Sequence, residues 1–187
     1  ERDRSAGGEQ SFGHAAQFLH QVGGPLLRRL HLPGRLDETG AERLQAGPAR
    51  LFEADFPSRA RAVIRFDAQL ARRMYAGGDI ILLPSRYEPC GLVQMIAMRY
   101  GCIPVARATG GLKDTILDNQ KSAESTGFLF DQATSEALAG AIRRALEAYR
   151  QSAGWQARQQ FAMQQDFSWR RSARAYFQIY HRLFSKT

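Results

Sequence analysis

Asp79-Ile-Ile-Leu-Leu-Pro-Ser-Arg-Tyr-Glu-Pro-Cys-Gly-Leu-Val-Gln94 is the stretch that decides the fold of this chain. Its four apolar residues, Ile80–Leu83, run without polar alternation, which is typical of a strand buried on both faces. A tight turn with Glu88, Cys90 and Gly91 follows, and the apolar residues after Gly91 have helical spacing. A strand that passes through a glycine turn into a helix directs unpaired backbone N–H groups to one point, where they bind anions such as phosphate. The acid in the same turn suits hydroxyl groups on the molecule that carries the phosphate.

Strand and helix patterns alternate from residue 61 onward, and three helical patterns in succession end the chain. Apolar runs predict strands at residues 61–66, 80–83, 103–106 and 127–131. Helical spacing predicts helices at residues 67–75, 92–100, 111–117 and 155–164. Two further helices are predicted from their N-terminal caps: one begins after Thr134 or Ser135, and the last one begins after Ser168. This alternation predicts an α/β fold, a Rossmann-like parallel sheet with helices on both faces. Ligands of such sheets lie beyond the carboxyl ends of the strands, where residues 85–90 fall.

Residues 1–60 lack this alternation. Glycine and proline pairs break them into short pieces. We interpret residues 15–19 and 26–32 as helical turns and residues 43–56 as an interrupted helix. No buried strand is recognisable in this segment. We therefore divide the chain into a divergent or partly disordered N-terminal segment, residues 1–60, and a folded domain, residues 61–187.

The charge balance leaves two interpretations open. The chain carries 26 basic and 18 acidic residues, a net charge of +8. This charge indicates either an anionic partner, a nucleotide diphosphate or a nucleic acid, or arginines on solvated helix faces. We favour the solvated faces and do not expect nucleic acid, because the basic residues are scattered and aromatic residues do not interleave with them.

Cysteine content and hydropathy argue against several other classes. Cys90 and Cys102 lack a CxxC or Cys/His partner at metal-ligand spacing, so we expect neither a disulfide framework nor a metal ion. No apolar run approaches the length of a membrane span, so we expect no membrane contact. The first residues contain no apolar signal segment, and the expected location is the cytoplasm.

Several blocks of the sequence, in order, resemble one protein family. Residues 84–94 resemble the donor-binding signature Pro-Ser-Arg-Phe-Glu-Pro-Cys-Gly-Leu-x-Gln of bacterial glycogen synthases and plant starch synthases. The likeness continues at residues 97–101, 104–105, 109–115, 127–130 and 165–169. It covers roughly the last two-thirds of the chain, from about residue 56 onward.

The resemblance implies a fold and a reaction. It implies the C-terminal half of a two-domain GT-B glycosyltransferase, which transfers glucose from ADP-glucose to the non-reducing end of an α-1,4-glucan with retention of configuration. UDP-glucose is the alternative donor, and a plastid is the alternative location if the protein comes from a plant or alga. No cofactor is implied. The N-terminal GT-B domain would form the other side of the cleft, so we expect this chain alone to be inactive. The last helix, with Trp169, Tyr176 and Tyr180, would bridge the two domains.

The resemblance also implies roles for the residues of the turn. Glu88, the predicted catalytic residue, would hydrogen-bond the hydroxyls of the donor glucose. Its alternative role is a helix-capping acid, which stabilises a helix by about 0.3–1 kcal/mol. Cys90 would line the sugar pocket, or it is a small buried residue. The N–H groups of Gly91, Leu92 and Val93 would bind the diphosphate.

Further residues complete the predicted substrate site. Phe66 aligns with an aromatic residue that stacks on the adenine of the donor, and a core phenylalanine is the equal alternative. Thr109 and Gly110 begin a second glycine turn, which the resemblance implies lies beside the cleft. Gln94 is interpreted either as a residue that orders the first turn or as a solvent-facing helix residue.

Two departures from the family leave alternative functions open. Family members carry an Arg-x4-Lys-Gly pattern whose cations neutralise the donor phosphates, and residues 1–60 do not contain it. Val93 stands where the family usually has Thr or Asn. The alternatives to a donor-binding half are a non-catalytic sugar-nucleotide-binding or interaction module, and a basic nucleic-acid-binding domain supported only by net charge.

Overall fold

A parallel sheet organises the part of the chain that the structure describes. The computed structural model describes residues 30–31, 54–55, 57–61, 63, 67–119 and 124–185. Within these ranges, the sheet contains β1 (Leu30–His31), β2 (Ile80–Leu83), β3 (Ile103–Arg107) and β4 (Phe128–Phe130), side by side in chain order. Each neighbouring pair is parallel. The predicted α/β class with a parallel sheet is therefore confirmed.

Helices connect and cover the strands. They are α1 (Ala68–Gly77), α2 (Val93–Arg99), α3 (Gly110–Thr115), α4 (Ser135–Arg150), α5 (Ser152–Met163) and α6 (Trp169–Phe184). The predicted cap of α4 is present, because the Ala137 N–H donates to the Thr134 hydroxyl at 3.2 Å. Ser168 stands at the N-cap of α6, but its side chain accepts no capping hydrogen bond.

Strand β2 separates two hydrophobic clusters. Ile80 and Leu82 join one cluster with apolar residues of α4 and α5. Ile81 and Leu83 join the other cluster with apolar residues of α1 and α3. All four strand residues are at most 5% exposed. Helices therefore cover both faces of the sheet, as the unalternating apolar run predicted.

Two of the predicted elements outside the core are wrong where the structure describes them. Residues 26–32 are not helical at Leu30–His31, which pair with Ile80 and Ile81 of β2. This pairing crosses about fifty residues of chain, and the local pattern of an edge strand two residues long does not encode it. In the predicted strand 61–66, Arg61 and Val63 lie outside any strand, and Val63 is half exposed. Its other positions, including Phe66, lie outside the described residues. The domain boundary at residue 60 stays a prediction.

Helix α6 presents an apolar face that no described residue covers. No residue of α6 is buried against the part of the chain that the structure describes. Its large apolar side chains recur at helical spacing and are all exposed: Trp169, Tyr176, Phe177, Ile179, Tyr180, Leu183 and Phe184. The polar side carries Arg170, Arg171, Arg174 and Arg182. No described helix is both long enough and apolar enough to cross a bilayer.

Two leucine substitutions test this division between core and surface. Leu82→Ala removes a fully buried side chain from β2 and is expected to lower the free energy of unfolding by about 2–5 kcal/mol. Leu183→Ala removes the same atoms from the exposed face of α6 and is expected to change the free energy of unfolding by about 0.5 kcal/mol or less. Urea denaturation of both variants measures the difference, and equal losses would contradict the described core.

Candidate functional site

The turn between β2 and α2 contains the predicted site, and Gly91 determines its shape. Gly91 has φ of +69°, in the left-handed region that favours glycine. A Cβ at this position would approach Oε1 of Gln94 to 2.6 Å, so a side chain would displace the Gln94 amide. Glycine is therefore required here both by the backbone conformation and by the space available.

Backbone donors at the start of α2 are open. The first hydrogen bond of the helix runs from the Ile96 N–H to the Leu92 carbonyl at 3.0 Å. Within the described residues, the N–H groups of Gly91, Leu92 and Val93 donate no hydrogen bond, and no side chain caps the helix. These three donors, predicted from the sequence as phosphate ligands, lie on consecutive residues of one turn. Their binding of a ligand stays a prediction.

The carboxylate of Glu88 lies three residues before these donors. Glu88 is partly exposed, and the Ser85 hydroxyl lies 3.5 Å from its Oε2, at the outer limit of a hydrogen bond. The carboxylate oxygens therefore keep most of their capacity to accept hydrogen bonds from a ligand. The carboxylate of Glu88 is therefore accessible, and its role with hexose hydroxyls stays a prediction.

The second glycine turn packs against the first. Gly110 has φ of +47°, and a Cβ there would lie 1.9 Å from the Glu88 carbonyl oxygen. A Cβ on Gly111 would lie 1.7 Å from the Cys90 carbonyl oxygen. The Gly111 N–H donates to the carbonyls of Glu88 and Pro89, at 3.3 Å each. The second turn thus supports the first, and a direct role of Thr109 and Gly110 in substrate binding stays a prediction.

Arg107 ties the start of the turn to the end of β4. Its Nη1 donates to the Arg86 carbonyl at 2.5 Å, and its Nε donates to the Asp131 carbonyl at 3.1 Å. The guanidinium therefore orders the backbone before Glu88.

Gln94 is a supporting residue whose importance the sequence left undecided. Its side chain is fully buried, so it is not a solvent-facing helix residue. Its Nε2 donates to the Gly91 carbonyl at 2.9 Å and to the Thr115 hydroxyl at 3.1 Å. The prediction that Gln94 orders the turn is confirmed. Thr115 was not predicted, because a threonine 21 residues away gives no local signal of this contact.

The two thiols have opposite environments. Cys90 is exposed in the turn, which removes the alternative of a small buried residue. Cys102 is buried, and that burial, together with the negative charge of Asp79, raises the pKa of its thiol to about 12. Among the described residues, no group of three or more His, Cys, Asp or Glu side chains could hold a metal ion. Phe66, the predicted base-stacking residue, lies outside the described residues.

Comparisons with known proteins agree on one family. The sequence profile of the family Glycosyl transferases group 1 matches residues 65–161, just over half of the chain. Glycogen synthase 2 from Nitrosococcus oceani is 45% identical over 151 residues, which cover 79% of this chain and 30% of that protein. The glycogen synthase from Geotalea daltonii is 52% identical over 124 residues, which cover 66% of this chain and 26% of that protein. The chain therefore spans less than a third of either relative.

A solved structure has the same fold. The catalytic domain of starch synthase IV from Arabidopsis thaliana, bound to ADP and acarbose, matches with a TM-score of 0.68 and 30% sequence identity. The match covers 92% of this chain and 42% of that chain. It corresponds to part of a larger catalytic domain.

Alanine at two glycine positions tests the packing between the turns. Gly111→Ala places a Cβ against the Cys90 backbone and is expected to lower the free energy of unfolding by about 1–3 kcal/mol. Gly140→Ala in α4, where a Cβ meets nothing within 4 Å, is the control. It is expected to raise the free energy of unfolding by up to about 1 kcal/mol, because alanine favours a helix over glycine. Denaturant midpoints measure both changes. Destabilisation by Gly140→Ala equal to that by Gly111→Ala would contradict the packing described.

Proposed function

The chain belongs to the group 1 glycosyl transferases, among their glycogen and starch synthases, and we propose that it forms the donor-binding half of a glucan synthase. The proposed reaction transfers glucose from ADP-glucose to the non-reducing end of an α-1,4-glucan with retention of configuration. One observation carries the proposal: the turn after β2 contains the Glu88 carboxylate and, three to five residues later, amides of Gly91, Leu92 and Val93 that donate to no described residue. A hexose attached to a diphosphate has the complementary groups, anionic oxygens for the amides and hydroxyls for the carboxylate.

The departing diphosphate is the group that the turn would stabilise. Negative charge grows on ADP as the bond between the anomeric carbon and the phosphate oxygen breaks. N–H donors held in place before the reaction stabilise this charge without reorganisation in the transition state. Glu88 accepts hydrogen bonds from the hexose hydroxyls and holds the sugar in register with the amides.

ADP is the proposed nucleotide, with UDP as the second possibility. The starch synthase IV catalytic domain, which has the same fold, was solved with ADP bound. Stacking of adenine on Phe66 belongs to this proposal. A base stacked on an aromatic side chain gains about 1–3 kcal/mol whatever the base, so stacking alone does not select adenine.

A second GT-B domain and the glucan acceptor complete the proposal. The chain corresponds to 42% of the starch synthase IV chain, so a cleft of that type needs further protein on its other side. The uncovered apolar face of α6 supports this, because an apolar surface with seven large exposed side chains is typical of a docking face. We propose that α6 packs on the second domain, and that this chain alone is inactive. A cytoplasmic location stays a prediction.

One sequence observation favours a second candidate function, a non-catalytic sugar-nucleotide-binding module. Residues 1–60 contain no lysine and therefore no Arg-x4-Lys-Gly pattern, which in the family carries the cations that neutralise the donor phosphates. A turn that binds the donor without these cations keeps the affinity that its amides and Glu88 supply, but it loses their charge neutralisation of the leaving group. Glucan extension by a complete two-domain protein that contains this chain would exclude the second candidate.

Removing the carboxylate of Glu88 separates sugar binding from diphosphate binding. Glu88→Ala is expected to weaken ADP-glucose binding about tenfold or more, because hydrogen bonds to a charged group are worth about 1.5–3 kcal/mol. ADP has no glucose, so its affinity is expected to stay unchanged. Isothermal titration calorimetry with both ligands measures this difference.

The control variant is Glu147→Ala, which removes an exposed carboxylate from α4. It is expected to leave both affinities unchanged. A loss of ADP and ADP-glucose affinity in equal measure by Glu88→Ala would contradict the sugar role of Glu88. Tighter binding of an oligonucleotide than of ADP, with a steep dependence on salt, would contradict the proposed function itself.

Alkylation of Cys90 tests whether the donor occupies the turn. At pH 8 iodoacetamide is expected to modify exposed Cys90 but not Cys102, whose raised pKa keeps the buried thiol protonated. ADP-glucose at ten times its dissociation constant is expected to slow the modification of Cys90 about tenfold, because only the free protein reacts. Mass spectrometry of the modified chain gives both rates, and an unchanged rate at Cys90 would count against donor binding at this turn.

A further inference from the structure

Gln94 is a buried polar residue whose hydrogen bonds join the two glycine turns. Its Nε2 donates to the Gly91 carbonyl at 2.9 Å and to the Thr115 hydroxyl at 3.1 Å, and that hydroxyl donates to the Gly111 carbonyl at 2.5 Å. Its Oε1 is buried and has no hydrogen-bond partner among the described residues. An apolar side chain would avoid the cost of this unpaired acceptor, but it would leave the Gly91 carbonyl without the donor that holds it.

Peptide planarity converts these hydrogen bonds into a direction for the amides. No peptide bond in the described residues is cis, so each N–H points opposite to the carbonyl of the preceding residue. Gln94 holds the Gly91 carbonyl towards the protein, and the N–H of Leu92 is therefore turned away from it. The Cys90 carbonyl also faces Gln94, with its oxygen 3.4 Å from Nε2, which turns the N–H of Gly91 outward.

The same geometry adds a third amide. The Pro89 carbonyl accepts from the Gly111 N–H at 3.3 Å, so the N–H of Cys90 is turned outward as well. The amides of Cys90, Gly91 and Leu92 therefore face one side of the turn. None of them donates a hydrogen bond to another described residue. Successive amides with a common direction form an anion-binding nest.

We propose that Gln94 and Thr115 are positioning residues that hold these amides towards the diphosphate of the donor. The inference rests on the proposed function of the turn. Thr115 acts through Gln94: because its hydroxyl proton goes to the Gly111 carbonyl, its oxygen only accepts from Gln94. This fixes Nε2, and not Oε1, towards the Gly91 carbonyl.

Binding of ADP and of adenosine to matched variants tests the inference. Thr115→Val removes the hydroxyl and keeps the shape of the side chain, while Thr115→Ser keeps the hydroxyl. Thr115→Val is expected to weaken ADP binding about tenfold, with adenosine affinity unchanged, because only ADP carries the diphosphate. Thr115→Ser keeps the hydroxyl, and its ADP affinity is expected to lie within about twofold of that of the wild-type chain.

Gln94→Met is the second variant, because methionine keeps the length of the side chain and lacks the donor. It is expected to reduce the ratio of ADP affinity to adenosine affinity as Thr115→Val does. Calorimetry is carried out at a temperature at which circular dichroism shows wild-type helix content for every variant. A general loosening of the fold would instead weaken the binding of both ADP and adenosine.

The outcomes separate this inference from the proposed function. Binding of ADP by the wild-type chain, with an unchanged affinity ratio in Thr115→Val and Gln94→Met, would overturn the positioning role alone. An equal loss of ADP and adenosine affinity would overturn it too. Failure of the wild-type chain to bind ADP would overturn the proposed function, and the inference with it.

Discussion

The carbonyl groups between Glu88 and Gly91 accept hydrogen bonds from inside the protein, and the donors come from two other places in the fold. The Gly111 N–H of α3 holds the first of these carbonyls, and the Gln94 amide of α2 holds the last. Because a trans peptide places N–H opposite to C=O, the inner hydrogen bonds determine what the outer surface presents. The ligand-facing side of the turn thus depends on contacts that a ligand never touches.

This arrangement explains why the two glycine turns approach so closely. Side chains at Gly110 and Gly111 would overlap the backbone of Glu88 and Cys90, so only glycine lets α3 come near enough for its N–H to reach the turn. Arg107 adds a third connection by binding the Arg86 carbonyl. Donors held in this way are ordered before a ligand arrives, which lowers the cost of binding and of charge stabilisation.

The sequence predicted those features of the fold that are determined by a few neighbouring residues. The apolar run of β2, the glycine turn and the Thr134 cap were each visible over a few residues, and each is confirmed. Strand β1 was missed, since its pairing with β2 comes from distant chain. Thr115 was missed for the same reason, because its hydrogen bond to Gln94 exists only once the two turns pack. Phe66 and the role of residues 1–60 stay predictions.

In the proposed chemistry, the amides of the turn stabilise the departing diphosphate through the direction in which they are held. Arg107 directs its donors to the Arg86 and Asp131 carbonyls, so part of its capacity is used within the protein. A net charge of +8 attracts an anionic donor from a distance, but such long-range attraction gives speed of encounter, not a fixed position for a phosphate. The amides of the turn are neutral dipoles, whose effect on a phosphate falls steeply when they turn away from its charge. The hydrogen bonds of Gln94 and Thr115, which hold the direction of these amides, therefore contribute to the precision of such a site.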